Sequence, residues 1–251
     1  MIYETPRFLP GGDSALFVEL GDAIDPELNR RVRRMHLAIG DARLTGVVEV
    51  VPAYCSLLVY YEPRRTSPED LIAALGLLSR RAAEQEFPRP IITEVPTAYG
   101  GEHGRDLEFV AGHSGLSTEE VVHLHAGRDY LIYMLGFIPG FPYLGGMSPR
   151  ISTPRLATPR AEIPAGSVGI AGNQTGIYPE ESPGGWRLIG RTPLQLFHPD
   201  NEPPALLQMG DYVRFLPITD SEFRLISEQL EQGTYRLKQY AFTEKADNEG
   251  A

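Results

Sequence analysis

Hydrophobic and polar residues alternate over ALFVEL (15–20), the period of a half-buried strand. The following stretch changes period. Leu28, Val32, Met35 and Ile39 recur at i, i+4, i+7 and i+11, one face of a helix. Asp25 is placed to cap that helix, with Pro26 at its first position and Gly40 to end it. Two more β-like runs, VVEVV (47–51) and SLLVYYE (56–62), flank a turn at Pro52 and Ala53. A second helix is predicted from Ser67-Pro68-Glu69-Asp70, a cap with acid in the first turn; its stripe is Leu71, Leu75, Leu78 and Ala82. ITEV (92–95) reads as a strand. The order βαββαβ predicts a ferredoxin-like α/β sandwich over residues 1–97, with both helices on one face of the sheet.

Residues 98–128 read as a helical linker. DLEFVAG precedes a glycine turn at Ser114-Gly115, and Ser117 with Glu120 forms a capping box stapled by Leu116 and Val121. Two short helices around a glycine resemble a helix-turn-helix. TEEVVHLHA, the would-be recognition helix, has no Arg or Lys for base reading, which favours packed structure. His123 and His125 are two apart on a helix and cannot chelate as an i, i+4 pair would; surface or core roles are expected.

From 129 the texture is different. DYLIYMLGF (129–137) is an apolar strand, and residues 136–204 hold 11 Gly and 12 Pro, too many for a helix. The short runs SVGIAG, WRLIG, PLQLF and YVRFL between these breakers predict a small antiparallel barrel or sandwich over 129–240. A capping box at Thr219 and Glu222 opens a closing helix with Phe223, Ile226 and Leu230 inward. The polar tail 241–251 is expected to be disordered. The fold class is α+β.

Composition narrows the function. The chain has 251 residues and a formal charge of −10, which argues against nucleic-acid binding. No apolar run is long enough to span a membrane, and the first residues lack the regions of a signal peptide, so a cytoplasmic location is expected. Cys55 is the only cysteine, which excludes an internal disulfide; a structural thiol is expected rather than a nucleophile. Of 23 basic residues only Lys238 and Lys245 are lysines, and no P-loop, GxSxG, HExxH or GxGxxG motif is present. Residues 136–199 carry five arginines (Arg150, Arg155, Arg160, Arg187, Arg191) against three acids, among Phe137, Phe141, Tyr143, Gln174, Thr175, Tyr178 and Trp186. Guanidinium groups and glycine-exposed backbone N–H groups suit an oxyanion, so a pocket for a small anion or an activated amide is predicted here.

YMLGFIPGFPYLGG, TPRLATPR and PAGSVGIAGNQTGIYPEESPGGWRLIGRTP resemble the signature of the 5-oxoprolinase B-subunit family. That family also includes the sporulation-kinase inhibitor KipI, the so-called allophanate hydrolase subunit 1 and a segment of urea carboxylase. GDSALFVELGDAIDPELN, VVEVVPAYCSLLVYYEP and YGGEHGRDLEFVAGHSGLSTEEVVHLH match the family's earlier blocks, so the likeness covers roughly residues 6–217.

The resemblance implies an N-terminal α/β domain and a C-terminal cyclophilin-like β-barrel. It implies two partners, a C-type protein of carboxyltransferase kind and an A-type protein. Together the three cleave 5-oxo-L-proline to L-glutamate with ATP, and this chain is expected to be inactive alone. Mg²⁺ and much of the ATP site would come from the partners, no metal being bound by this chain alone. Candidate ligand contacts are Arg155, Arg160, Gln174, Tyr178 and Arg191, with backbone from Gly172, Gly184 and Gly185. His113, in the GHSG turn, is the candidate acid or base, against a helix-end hydrogen bond as the plainer role. Phe137, Phe141 and Trp186 are assigned to barrel core or subunit interface. The alternatives are a KipI-like inhibitor docking on a histidine kinase, and the carboxyltransferase half of a urea carboxylase or allophanate hydrolase system.

Overall fold

A computed structural model of the chain describes residues 1–81 and 87–243, in two compact units, 1–88 and 89–251. In the first unit, β1 (Ile2–Pro10), β2 (Ala15–Gly21), β3 (Val47–Pro52) and β4 (Ser56–Tyr61) form an antiparallel sheet in the order β1-β2-β4-β3. Helices α1 (Pro26–Ala42) and α2 (Pro68–Arg81) cover one face. The pleat explains this: Leu16, Val18 and Leu20 of β2 and Leu57, Val59 and Tyr61 of β4 alternate inward, where they are buried with Leu28, Val32, Met35, Ile39, Leu71 and Leu75. Each such side chain contributes about 1.5–3 kcal/mol.

The Asp25 carboxylate accepts the Leu28 N–H at 2.9 Å, as the cap requires. The helix does not stop at Gly40. It continues to Ala42 and ends at Arg43 in the left-handed region, φ 44°. One glycine costs a helix only about 1 kcal/mol, which two further hydrogen-bonded residues tolerate. The expected Ala82 of the second helix lies outside the described residues.

The strand expected to complete this sheet is elsewhere. β5 (Ile91–Tyr99) belongs to the second unit, and the position beside β2 is filled by β1, whose sequence carries no alternation to announce it. The observed order of the first unit is ββαββα.

In the second unit, β6 (Asp129–Leu135), β7 (Pro142–Gly145), β9 (Ser167–Ala171), β10 (Gln174–Ile177), β12 (Arg187–Arg191) and β13 (Tyr212–Ile218) join β5 in a closed barrel, in the order β12-β9-β10-β7-β6-β13-β5 and back to β12. The pair β5–β13 is parallel, a departure from the all-antiparallel expectation. β8 (Arg160–Ile163) and β11 (Ser182–Gly184) form a separate two-stranded antiparallel sheet, and β14 (Gln239–Ala241) adds to β5. PLQLF forms no strand; Phe197 makes one isolated bridge to Ala205, because Pro193 and the bends after it interrupt the ladder.

Helices α3 (Leu107–Ser114) and α4 (Thr118–Ala126), expected as a linker, pack into the barrel's own core. Leu107, Val110, Ala111 and Val121 share it with Tyr130, Ile132, Ile170 and Phe215. The capping boxes at Ser117 and at Thr219, which opens α5 (Asp220–Glu231), are both formed. Phe223, Ile226 and Leu230 are only half-buried. Of the tail, 241–243 are described and 244–251 lie outside the described residues. No helix among the described residues is long and apolar enough to cross a membrane.

Candidate ligand-binding cleft in the barrel unit

The GFIPGF turn joins β6 to β7. The Gly136 N–H donates to the Phe141 carbonyl at 3.0 Å, and the Phe141 N–H to the Ile138 carbonyl at 3.1 Å. This closure holds Phe137 at φ 67°, a region a bulky residue rarely enters, at a cost on the order of 1–3 kcal/mol. Phe137 is 63% exposed, and its ring meets Phe141 edge-on at 5.8 Å. Phe141 is buried and packs edge-on against Tyr178 at 5.2 Å and Trp186 at 5.4 Å. These rings and Tyr143 wall a cleft of about 310 Å³, whose remaining lining includes Arg155, Pro183, Gly184 and Gly185.

The cleft's charge is supplied by Arg155. Its exposed guanidinium lies 5.8 Å over the Trp186 ring, and no carboxylate among the described residues pairs with it. Burial raises the pKa of both lining phenols. Arg155 opposes this at Tyr143; at Tyr178 a backbone hydrogen bond from Trp186 opposes it first, then Arg155. Both therefore remain protonated near neutral pH and can donate. Glycine is required at 184, where a Cβ would sit 2.5 Å from the Tyr178 hydroxyl. Aromatic walls, a single unneutralised cation and neutral hydroxyl donors suit a small ring bearing an anionic group.

Four of the residues expected at a ligand site thus converge: Arg155, Tyr178, Gly184 and Gly185. The others do not line this cleft. Arg160 forks onto Asp106, Nη1 to Oδ2 at 2.9 Å and Nη2 to Oδ1 at 2.8 Å, and its charge is spent there. Asp106 is buried and also accepts the Leu188 N–H at 2.7 Å, with Arg187 at 3.9 Å. Arg191 donates through Nε to the Ala165 carbonyl at 2.8 Å. Gly172 adopts φ 57° in the turn before β10, and its N–H is committed to the Thr153 carbonyl at 2.8 Å. Gln174 opens β10 opposite Ala171. His113 is exposed near the end of α3 and stacks on Phe109, centroids 6.1 Å apart. Phe109 in turn carries the Arg187 guanidinium 3.7 Å over its ring.

Phe137, Phe141, Tyr143, Pro159, Pro183 and Trp186 are the cleft residues that sequence reasoning left out of its ligand set. The signal for Phe137 was a bulky residue between Gly136 and a proline two positions later, a place where the turn imposes strain.

His125 is fully buried. Thr175 Oγ1 donates to the Gly169 carbonyl at 3.0 Å, so it accepts from His125 Nε2 at 2.9 Å, which leaves Nδ1 to accept from the Tyr99 hydroxyl at 2.8 Å. Desolvation, with Arg128 nearby, lowers the His125 pKa to about 3. It is a neutral core residue, whereas His123 is exposed. Cys55 is half-buried, and burial pushes its thiol pKa up, away from nucleophilic reactivity. Among the described residues no group of three or more His, Cys, Asp or Glu could hold a metal ion.

The family described as carboxyltransferase domain, subdomain C and D, matches residues 6–207. The chain is 44% identical to the 5-oxoprolinase B-subunit of Bacillus subtilis, over 87% of this chain and 95% of that protein. Among solved structures, a conserved uncharacterized protein from Pyrococcus horikoshii is 50% identical, with a TM-score of 0.52 over 86% of this chain and 100% of that one. The Kluyveromyces lactis urea carboxylase shares the fold, with a TM-score of 0.79 at 20% identity; the match covers 96% of this chain and 25% of that protein.

Proposed function

The chain belongs to the carboxyltransferase subdomain C and D family, and within it to the 5-oxoprolinase B-subunit family; from that membership we propose that it is the B-subunit of an ATP-dependent 5-oxoprolinase. The carrying observation is the 44% identity with the Bacillus subtilis protein across nearly the full length of both chains. The partners are the C-type and A-type proteins of that enzyme, and the chain is inactive without them. The barrel is of cyclophilin-like type.

The aromatic cleft is the part of this chain that meets the substrate. 5-Oxo-L-proline is a five-membered lactam with one carboxylate. Arg155 takes the carboxylate, the rings of Tyr143 and Trp186 cover the lactam, and the protonated phenols offer donors to its carbonyl. Enclosure by Phe137 and Phe141 displaces water and strengthens those contacts. The same residues do not fit ATP. A triphosphate needs several cations or a metal, and the cleft supplies one guanidinium and no lysine. Lys238 is engaged with Glu94 at 2.8 Å. ATP and Mg²⁺ are therefore not assigned to this cleft, and the partner proteins supply much of their site.

The test is reconstitution. The chain is co-purified with its A-type and C-type partners, and ATP hydrolysis is measured with and without 5-oxoproline. Stimulation by 5-oxoproline that requires all three chains is the expected result. Tight binding to a histidine kinase without such stimulation would replace this reading with the KipI-like one, and stimulation by urea alone with the carboxyltransferase one.

A further inference from the structure

The first unit holds a cavity of about 510 Å³ that the proposed reaction does not use. It opens where β1 leaves β2. Ile2 pairs with Gly21, but the next pair is Arg7 with Glu19, so residues 3–6 stand opposite Leu20 alone. Glu4, Thr5 and Pro6 of this bulge form one wall, and the buried Leu20 and Met35 form the floor.

Three arginines line it: Arg31 and Arg34 of α1 and Arg80 in the last turn of α2. Arg31 donates to the Tyr3 carbonyl in the bulge at 2.8 Å. Among the described residues Arg34 Nε is buried without a hydrogen-bond partner, and its guanidinium lies 5.6 Å over the Phe87 ring. Among the described residues none of the three has a carboxylate within ion-pair distance, and of the two lining acids, Glu27 is engaged by Arg30 at 2.6 Å. The helix dipole favours Arg80 where it stands, but not Arg31 and Arg34 in the body of α1, where like charges three apart repel.

Gly76 also faces the cavity. A glycine in mid-helix costs about 1 kcal/mol relative to alanine. Packing does not demand it, because a Cβ there would meet nothing within 4 Å. Its effect is to keep the space open.

We propose that this cavity binds a phosphoryl-type oxyanion, held by Arg31, Arg34 and Arg80 and admitted by Gly76. One guanidinium fork satisfies a carboxylate; a phosphoryl dianion has oxygens for guanidiniums arriving from two helices. The apolar floor accepts the organic remainder of a phosphorylated molecule, and free phosphate is the other source of the same group.

The full-length chain is titrated by calorimetry with inorganic phosphate, ADP and glutamate at constant ionic strength, with thermal unfolding in parallel. Saturable binding of phosphate or ADP, with no comparable binding of glutamate, is expected. Tighter ADP binding assigns the site to an organic phosphate, and equal or weaker ADP binding to the free ion. Arg34→Gln and Arg80→Gln each weaken binding about tenfold, equivalent to about 1.4 kcal/mol. Gly76→Leu removes binding while the ligand-free protein unfolds at an equal or higher temperature. Arg155→Ala leaves it intact, which separates this site from the aromatic cleft. The proposal is overturned by the absence of saturable phosphate or ADP binding, by glutamate binding as tightly to the Arg155→Ala chain, or by undiminished binding in the Gln variants or in Gly76→Leu.

Discussion

Asp106→Ala should unfold the barrel unit far more readily than its place in a loop suggests. Its side chain is 8% exposed and accepts from Arg160 at 2.8 and 2.9 Å and from the Leu188 N–H at 2.7 Å. Alanine would leave the Arg160 guanidinium without its partner and a buried N–H of β12 without an acceptor. Breaking a buried ion pair costs about 3–5 kcal/mol, and orphaning an N–H about 1–3 kcal/mol. Water reaches Arg160, whose side chain is 22% exposed, so the lower part of the combined range applies, about 4 kcal/mol. In a domain of this size that lowers the melting temperature by roughly 8–16 °C. Calorimetric melts of the wild type, Asp106→Ala, Arg160→Leu and the double variant give the coupling, expected at about 2 kcal/mol. A loss under about 1 kcal/mol, or additivity within about 0.5 kcal/mol, would refute the structural role given to this pair.

Arg155→Ala should behave oppositely. Its exposed guanidinium holds no carboxylate among the described residues, so the melt should stay within about 0.5 kcal/mol of wild type while 5-oxoproline-dependent turnover of the reconstituted enzyme falls. Gly184→Ala should cost about 1–3 kcal/mol, since its Cβ would lie 2.5 Å from the Tyr178 hydroxyl and 2.8 Å from Ile163 Cδ1; Gly185→Ala, with nothing nearer than 3.7 Å, is the control, and equal melts for the two would contradict the packing described. His125 binds no proton in the native state above about pH 3, whereas the unfolded ring titrates near its ordinary 6.5. Stability from this residue is therefore present above pH 6.5 and falls by about 1.4 kcal/mol per unit as the pH drops toward 3. Burial of His36 adds in the same direction. Urea midpoints between pH 7 and 4.5 should show this, with a slope shallower by about one proton in His125→Gln; an unchanged slope would count against a neutral buried ring.

Glycine, proline, aromatic residues and arginine cluster in 133–193, which pointed to a pocket, and an aromatic cleft lies among those residues. Which arginine serves it was not legible. Arg155 and Arg160 are equivalent in sequence context, five apart in the TPRLATPR run. Asp106, 54 residues away from Arg160, decides between them. The same holds for the histidines: spacing excluded chelation by His123 and His125, but burial, Thr175 and Tyr99 made one of them a core residue.

Local periodicity by itself determined α1, α2 and their N-terminal caps, the strands 15–20, 47–51 and 56–62, and the β-rich character beyond 129. These follow from side-chain spacing and capping over a few residues, which the chain carries wherever it folds. Only the tertiary structure decided that β1 rather than β5 edges the first sheet, that β5 runs parallel to β13, and that α3 and α4 join the barrel core. A strand edge accepts any backbone of matching register, so its partner is chosen by where the remaining apolar faces can be buried together. That choice depends on residues far apart in the chain, and no short window of sequence contains it.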